Sequence, residues 1–274
     1  MTNPADKPNA PLVGDSGSRQ KDPAKKMVLN PLSLRFSGPT AHLEQPFIAQ
    51  YSQRSVKQVR LMLVLGALLY AGFGILDAVL IPDYKHLTWP IRFFIVCPAL
   101  LWVALYTFRP AFKTVMQPLL AAVLLLAGGG IIFMIVIAPP PINYSYYAGL
   151  ILIFFFGYTL FRVRFVWVTS ASWLLVIMYE IAATAITHTP WPILVNNNFF
   201  FISANIAGML ACYLIEYYTR RDFFSAHLLE QERKKVAHAN VVLEQRVQNR
   251  TAELQQINRN LEQEIADRKQ AEQE

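Results

Sequence analysis

The chain is 274 residues long, 54% hydrophobic and only 16% charged, with mean hydropathy +0.30 and a formal net charge of +7. Ordinary globular chains carry about 25% charged residues, and the deficit here is local: of 43 charges, 13 lie in 1–60, 20 in 219–274 and only 10 in the 158 residues between. So apolar a middle excludes secreted, purely cytosolic and collagen-like proteins, and basic residues that form no stripe with stacking aromatics exclude nucleic acid as a partner.

Residues 1–50 are rich in Pro, Ser, Asn, Lys and Asp and show no sustained apolar period, which predicts a disordered cytoplasmic arm. The first apolar run starts near Val59, too late for a signal peptide. Six apolar runs follow at 59–82, 91–108, 115–138, 144–161, 165–187 and 198–219. At about 1.5 Å per residue, runs of this size reach across a hydrocarbon core of about 30 Å. Backbone groups in lipid must be satisfied within each span, so the runs predict helices and a six-span domain over 51–221.

Lysines and arginines fix the expected orientation. Arg54, Lys57, Arg60, Arg109, Lys113, Arg162, Arg164, Arg220 and Arg221 fall on one side, and only Lys85 and Arg92 on the other. The positive-inside rule places the richer side, with both termini, in the cytoplasm. Trp89, Trp191 and the Tyr144, Tyr146 and Tyr147 cluster sit at the opposite edges, where amphipathic rings favour the headgroup layer.

Beyond Arg221 the character changes. From Leu229 to Glu274 there is neither Gly nor Pro. Leu229, Val236, Leu243 and Ile257 fall on one heptad track and Val247, Leu254 and Leu261 on the other, the seam of a parallel dimeric coiled coil over 222–274. Asn240 and Arg250 occupy seam positions, and Ile265 follows Leu261 by four, a stutter that unwinds the supercoil locally. The competing reading is a single solvated helix.

The tail from Leu243 through Arg250-Thr-Ala-Glu-Leu254 to Asn260-Leu-Glu-Gln-Glu-Ile265 and Arg268-Lys-Gln-Ala-Glu272 resembles the signalling helix of bacterial sensor proteins. The stretch Asn196–Phe201, with Ala204-Asn205, Gly208-Met209 and Tyr213–Arg221, is similar to the last span of six-helix membrane domains that precede histidine kinases, diguanylate cyclases and class III adenylate cyclases. The resemblance implies an all-α sensor or anchor in a bacterial inner membrane, in two-component or cyclase signalling, and names no ligand. No GGDEF-like sequence, glycine-rich nucleotide loop or cyclase aspartate pair is present, so the chain as given is not expected to be an enzyme. His227 and His238 lack the flanking residues of a phospho-accepting histidine.

Charged groups inside a bilayer are costly, so each is a candidate site. Asp77, Glu180 and Asn205 fall in the outer half of their spans, and Arg92 is the candidate counter-charge for Asp77 or Asp83. With Tyr179 and Ser203, and with Tyr70 and His188 nearby in register, they are expected to line an outward polar pocket for a small amphipathic ligand. The alternative is hydrogen-bonded glue between helices. Glu216, four residues before Arg220, reads as an i,i+4 ion pair. Glu216, Arg220, Arg221, Asn240 and Arg250 are the candidates for coupling span to stalk. No histidine lies inside an apolar run, and Cys97 and Cys212 form no CxxC pair, so neither haem, metal nor other cofactor is expected. The expected partners are membrane lipid, a second copy through the coiled coil and the small ligand. The rival readings are a transporter or channel with a coiled-coil assembly domain, and a passive tether.

Overall fold

The computed structural model describes residues 26–271, and among these the fold is helical, with one isolated bridge between Leu29 and Phe36. Helix α1 is Glu44–Leu80 and α2 runs over Lys85–Tyr106. Helix α3 is Phe112–Ile137, and α4 comprises Tyr147–Phe155 continued by a π-helical Phe156–Leu160. Helix α5 runs over Phe165–Ile186, and α6 is Trp191–Ala271. Five of the six, all but α4, are long and apolar enough to cross a membrane.

The fourth apolar run differs from its expected form for a local reason. Pro139, Pro140 and Pro141 stop α3, a 3₁₀ turn over Ile142–Ser145 follows, and the helix proper has nine α-helical and five π-helical residues. At about 1.5 Å per residue this reaches about 20 Å. Its end is set by Arg162, which adopts a left-handed φ of 55° and turns the chain into α5.

The interior is apolar, and Phe112, Met116, Leu120, Leu124 and Met134 of α3 are buried in one cluster with Val59 and Leu63 of α1, Phe154 of α4, Leu175 of α5 and Phe201 of α6. The outer surface is also apolar: Leu68, Ile75, Phe94, Leu105, Phe155, Ile177 and Ile206 are exposed on helices facing all round the bundle. A continuous apolar exterior of this kind is the solvent-facing surface of a protein whose solvent is lipid. Glycines let the helices approach. A Cβ on Gly130 would stand 2.7 Å from the Tyr70 hydroxyl, and one on Gly208 would overlap the Tyr158 ring.

Prolines shape α2. Pro90 and Pro98 each lack an amide hydrogen, and the backbone between them, Ile91–Val96, winds as π-helix instead. Such wide turns re-satisfy carbonyls that a proline leaves without a donor. The wide segment carries Arg92.

One expectation about the ends needs revision. The arm expected over 1–50 is folded from residue 26 onward; residues 1–25 lie outside the described part. Asn30 Oδ1 accepts from the amides of Leu32 and Ser33, Thr40 Oγ1 donates to the Val28 carbonyl, and Leu34, Phe36, Leu43 and Phe47 are buried. These few apolar side chains suffice because the bundle supplies the rest of the core they join. At the other end, α6 is one unbroken helix of 81 residues, about 120 Å long. It passes from the bundle into a stalk exposed on every face from Leu229 to Arg268.

Candidate functional site

Asp77, near the end of α1, and Arg92, on the π-helical part of α2, meet inside the bundle. Arg92 Nε donates to Asp77 Oδ2 at 2.6 Å and Nη2 donates to Oδ1 at 3.0 Å, with the two side chains 3% and 2% exposed. The short loop after Ile81 brings the start of α2 back beside the end of α1, and Ile91–Val96 turns the guanidinium inward. The Tyr146 hydroxyl donates to the same Asp77 Oδ1 at 2.7 Å, and the guanidinium lies 5.1 Å from the Tyr70 ring centroid. A bidentate pair of this geometry satisfies both charges, whereas either one alone would be stranded.

The pair forms the polar end of a cavity of ≈ 130 Å³ between α1, α2, α3 and α4. Its other walls are apolar, including Leu69, Phe73, Leu124, Ile131 and Phe156, and its far end reaches Gly66 and Phe161.

Of the eight residues expected to share one pocket, the structure brings together Asp77, Arg92 and Tyr70. Tyr179, Glu180 and Asn205 lie apart from the cavity, at the α5–α6 and α4–α6 contacts. Asn197 Nδ2 donates to the Tyr179 hydroxyl at 2.7 Å. The Tyr158 hydroxyl donates to Asn205 Oδ1 at 2.9 Å, while Asn205 Nδ2 returns to the Phe201 carbonyl. The bonds of Asn197 to Tyr179 and of Tyr158 to Asn205 are interhelical, of the kind that hold membrane helices together, while the Asn205–Phe201 bond stays within α6. Glu180 is half-buried beside Asn198, its Oε1 without a hydrogen bond. Ser203 is exposed on the outer face of α6, and His188 and Asp83 are exposed on loops. Sequence periodicity gives a residue's depth along its helix but not its direction, and direction separates these groups. Tyr146 was legible only as an edge aromatic; its role as a third partner of Asp77 carries no sequence signal.

A second polar centre lies at the opposite end of the bundle, where α6 leaves it. Arg220, 0% exposed, donates from Nε and Nη2 to Glu216 Oε1 at 3.0 and 2.9 Å and from Nη1 to Glu44 Oε2 at 2.7 Å. Arg164, on the α4–α5 connection, reaches Glu44 Oε1 at 3.2 Å and Glu216 Oε1 at 3.4 Å. Backbone amides complete the network: Phe165 N–H donates to Glu216 Oε2 and Phe36 N–H to Glu44 Oε2. The Arg220 guanidinium stacks 4.2 Å from the Phe47 ring centroid, and Phe47 and Phe36 both contact Phe223. Two arginines balance two glutamates, so no net charge is buried.

Glu44 precedes the apolar part of α1. Burial works to raise its carboxyl pKa, but the hydrogen bonds from Arg220 and the Phe36 amide, with the charges of Arg220 and Arg164, outweigh this and hold it below the usual carboxylate range. The i,i+4 spacing of Glu216 and Arg220 was legible in the sequence. Glu44 was not, because a lone acid in a polar segment gives no hint of a partner on the last helix. Of the other coupling candidates, Arg221 points outward, 5.0 Å from the Tyr218 ring centroid, and Asn240 and Arg250 are exposed on the stalk, Arg250 pairing with Glu253. Among the described residues no three His, Cys, Asp or Glu side chains converge as metal ligands do.

The MASE8 family model, which describes membrane-associated sensor domains, matches residues 75–230, more than half of the chain. The chain belongs to the MASE8 family. The matched stretch begins two residues before Asp77 and ends just past the root of the stalk, so it contains Asp77, Arg92 and Tyr146 as well as Arg164, Glu216 and Arg220. Glu44 and Phe36, which complete the second centre of this MASE8 domain, lie before it. No curated protein and no solved structure matches the chain.

Proposed function

We propose that this MASE8 domain is the sensing module of a bacterial inner-membrane signalling protein, transmitting an outer-side stimulus through α6 to a cytoplasmic output domain. In this reading α4, extended by its 3₁₀ turn, completes six spans, both termini are cytoplasmic, and the stalk pairs with that of a second copy as a parallel coiled coil. The output domain is a histidine kinase, a diguanylate cyclase or an adenylate cyclase. The observation that carries the proposal is the uninterrupted Trp191–Ala271 helix, anchored at its exit from the bundle by Glu44, Arg164 and Glu216. A rod held by a buried polar network has a small set of discrete seatings, and a stimulus that favours one of them moves the whole rod.

The test is a chimera in which residues 1–274 are fused to an adenylate cyclase catalytic domain of known activity. Substitution of Glu216 by Gln is expected to change cyclase output at least threefold at equal membrane abundance. Unaltered output in Glu216→Gln, Arg220→Lys and Glu44→Gln chimeras alike would leave the anchor without a signalling role and favour the tether.

A further inference from the structure

We propose that the cavity between α1, α2, α3 and α4 binds a neutral single-chain amphiphile, with its hydroxyl or carbonyl head against Asp77 and Arg92 and its chain along the apolar slot. The inference rests on the sensor reading and names the ligand class for it. Gly66 and Asp77 both line the cavity and stand eleven residues apart on α1, so the slot extends about 16 Å along the bundle. The polar side chains Asp77, Arg92, Ser145 and Tyr146 gather at the Asp77 end, Tyr70 stands between with its hydroxyl on the Ala127 carbonyl, and the Gly66 end is apolar. An apolar chamber with a few convergent polar groups is the ordinary form of a small-molecule site. A narrow one with its polar groups at one end suits a chain with a single head.

The head's chemistry follows from the hydrogen-bond inventory. Both oxygens of Asp77 are engaged, by Arg92 and by Tyr146. Arg92 has five N–H donors; one goes to each Asp77 oxygen and a third, from Nη1, reaches the Tyr70 carbonyl at 3.4 Å. Each guanidinium nitrogen thus has a partner, the Tyr146 hydroxyl is also within its reach, and what is left over can serve one further acceptor at the cavity's end. Asp77 and Arg92 already cancel in charge, so an anionic or cationic head would bring an uncompensated charge into apolar surroundings. A hydroxyl or carbonyl supplies the acceptor without that cost.

The probe is octanol carrying a photoreactive diazirine, applied to the full chain in phosphatidylcholine nanodiscs, with labelled residues mapped by mass spectrometry. Labelling is expected at buried residues lining the slot, such as Ile153 or Phe156, with competition by 1-octanol and at least tenfold weaker competition by octane and octanoate. Gly66→Leu tests the slot, since a Cβ there meets the Phe161 ring at 3.5 Å, an ordinary contact, and the side chain enters the cavity without forcing the backbone. Slot labelling is expected to fall at least tenfold in Gly66→Leu while the thermal midpoint is kept; Ala148→Phe is the second variant should Gly66→Leu prove unfolded. Labels confined to lipid-facing residues such as Phe94 and Leu105, equal labelling of both slot variants, or equal competition by octane would overturn the proposal.

The molecule's source is read separately. A neutral single-chain species that co-purifies with wild type and is lost in Gly66→Leu comes from the cell's own lipids; slot labelling with no such species points to a molecule from outside. Binding is measured on the chain alone, so a failed cyclase chimera with intact slot labelling sinks the sensor reading and not the site, and the reverse result sinks the site only.

Discussion

Arg220 donates a 2.7 Å hydrogen bond to Glu44 across 176 residues of chain, so the segment before the first span is fastened to the root of the last helix. The stalk therefore cannot rotate or slide without either carrying the N-terminal segment with it or breaking a buried, charge-assisted contact. Such contacts contribute roughly 1.5–3 kcal/mol, enough to separate two helix seatings without making either inaccessible.

Glu44→Gln keeps the shape of the side chain and removes its charge. We expect it to lower stability in nanodiscs by about 1–3 kcal/mol, since Arg220 retains Glu216 as a partner. A double-mutant cycle with Arg220→Lys should show a coupling energy above about 0.5 kcal/mol. Additive effects of the two substitutions would mean that the contact carries no energy.

The same carboxylate makes a signed prediction about pH. Its folded pKa lies below its ordinary value of 4.5, so its contribution is present in full above that value and is lost as pH falls through the lower, folded one. The difference in thermal midpoint between wild type and Glu44→Gln should therefore be constant from pH 7 to about 5 and shrink progressively as pH falls below 4.5. Thermal melts of the two proteins across that range measure it. A difference that persists unchanged at the acid end would assign the stabilisation to something other than the carboxylate charge.

At the other end of the bundle, the Asp77–Arg92 pair should behave as a unit. Asp77→Asn leaves a guanidinium buried without its counter-charge, at a cost of about 3–5 kcal/mol, whereas the double change Asp77→Leu with Arg92→Leu should cost less than Asp77→Asn alone. Equilibrium unfolding in mixed detergent micelles orders the variants. If the double variant is the least stable, the two charges act independently.

The stalk has a seam that cysteine chemistry can read. Leu254→Cys and Leu261→Cys are expected to form disulfide-linked dimers in membranes under mild oxidation, while Ala252→Cys, about 200° round the helix from Leu254, is not. Equal cross-linking at all three positions would describe random collision. None at the seam would leave the stalk a single helix, its leucines exposed as they are in one copy.

Orientation is read with a membrane-impermeant maleimide. Asp83→Cys, on the short loop between α1 and α2, should label in intact cells, and Ala237→Cys on the stalk only after permeabilisation. Both labelling under the same condition would contradict an odd number of crossings between them.

The two polar centres differ in how far the sequence announces them. Asp77, Glu216 and Arg220 stand out because a charge within or beside an apolar run is rare and costly, and Arg92 is the one arginine near the same outer edge as Asp77. Tyr146, Glu44 and Arg164 have no such mark: each is an ordinary residue at an edge, and its partner belongs to a helix far away in sequence. The same limit explains Ser203 and Asn205, two residues apart on α6, about 200° round the helix, one facing outward and the other bonded to Tyr158.

What the sequence determined by itself is the helical membrane character. A charge-poor middle cannot face water, and backbone groups in lipid must be satisfied within each segment; both conditions depend on composition and run length alone. The folding of residues 26–43 onto the bundle, and the meeting of Asp77 with Tyr146 and of Glu44 with Arg220, were decided only by tertiary packing. Which faces oppose one another depends on shape matching between whole helices, a property that no single stretch of chain contains.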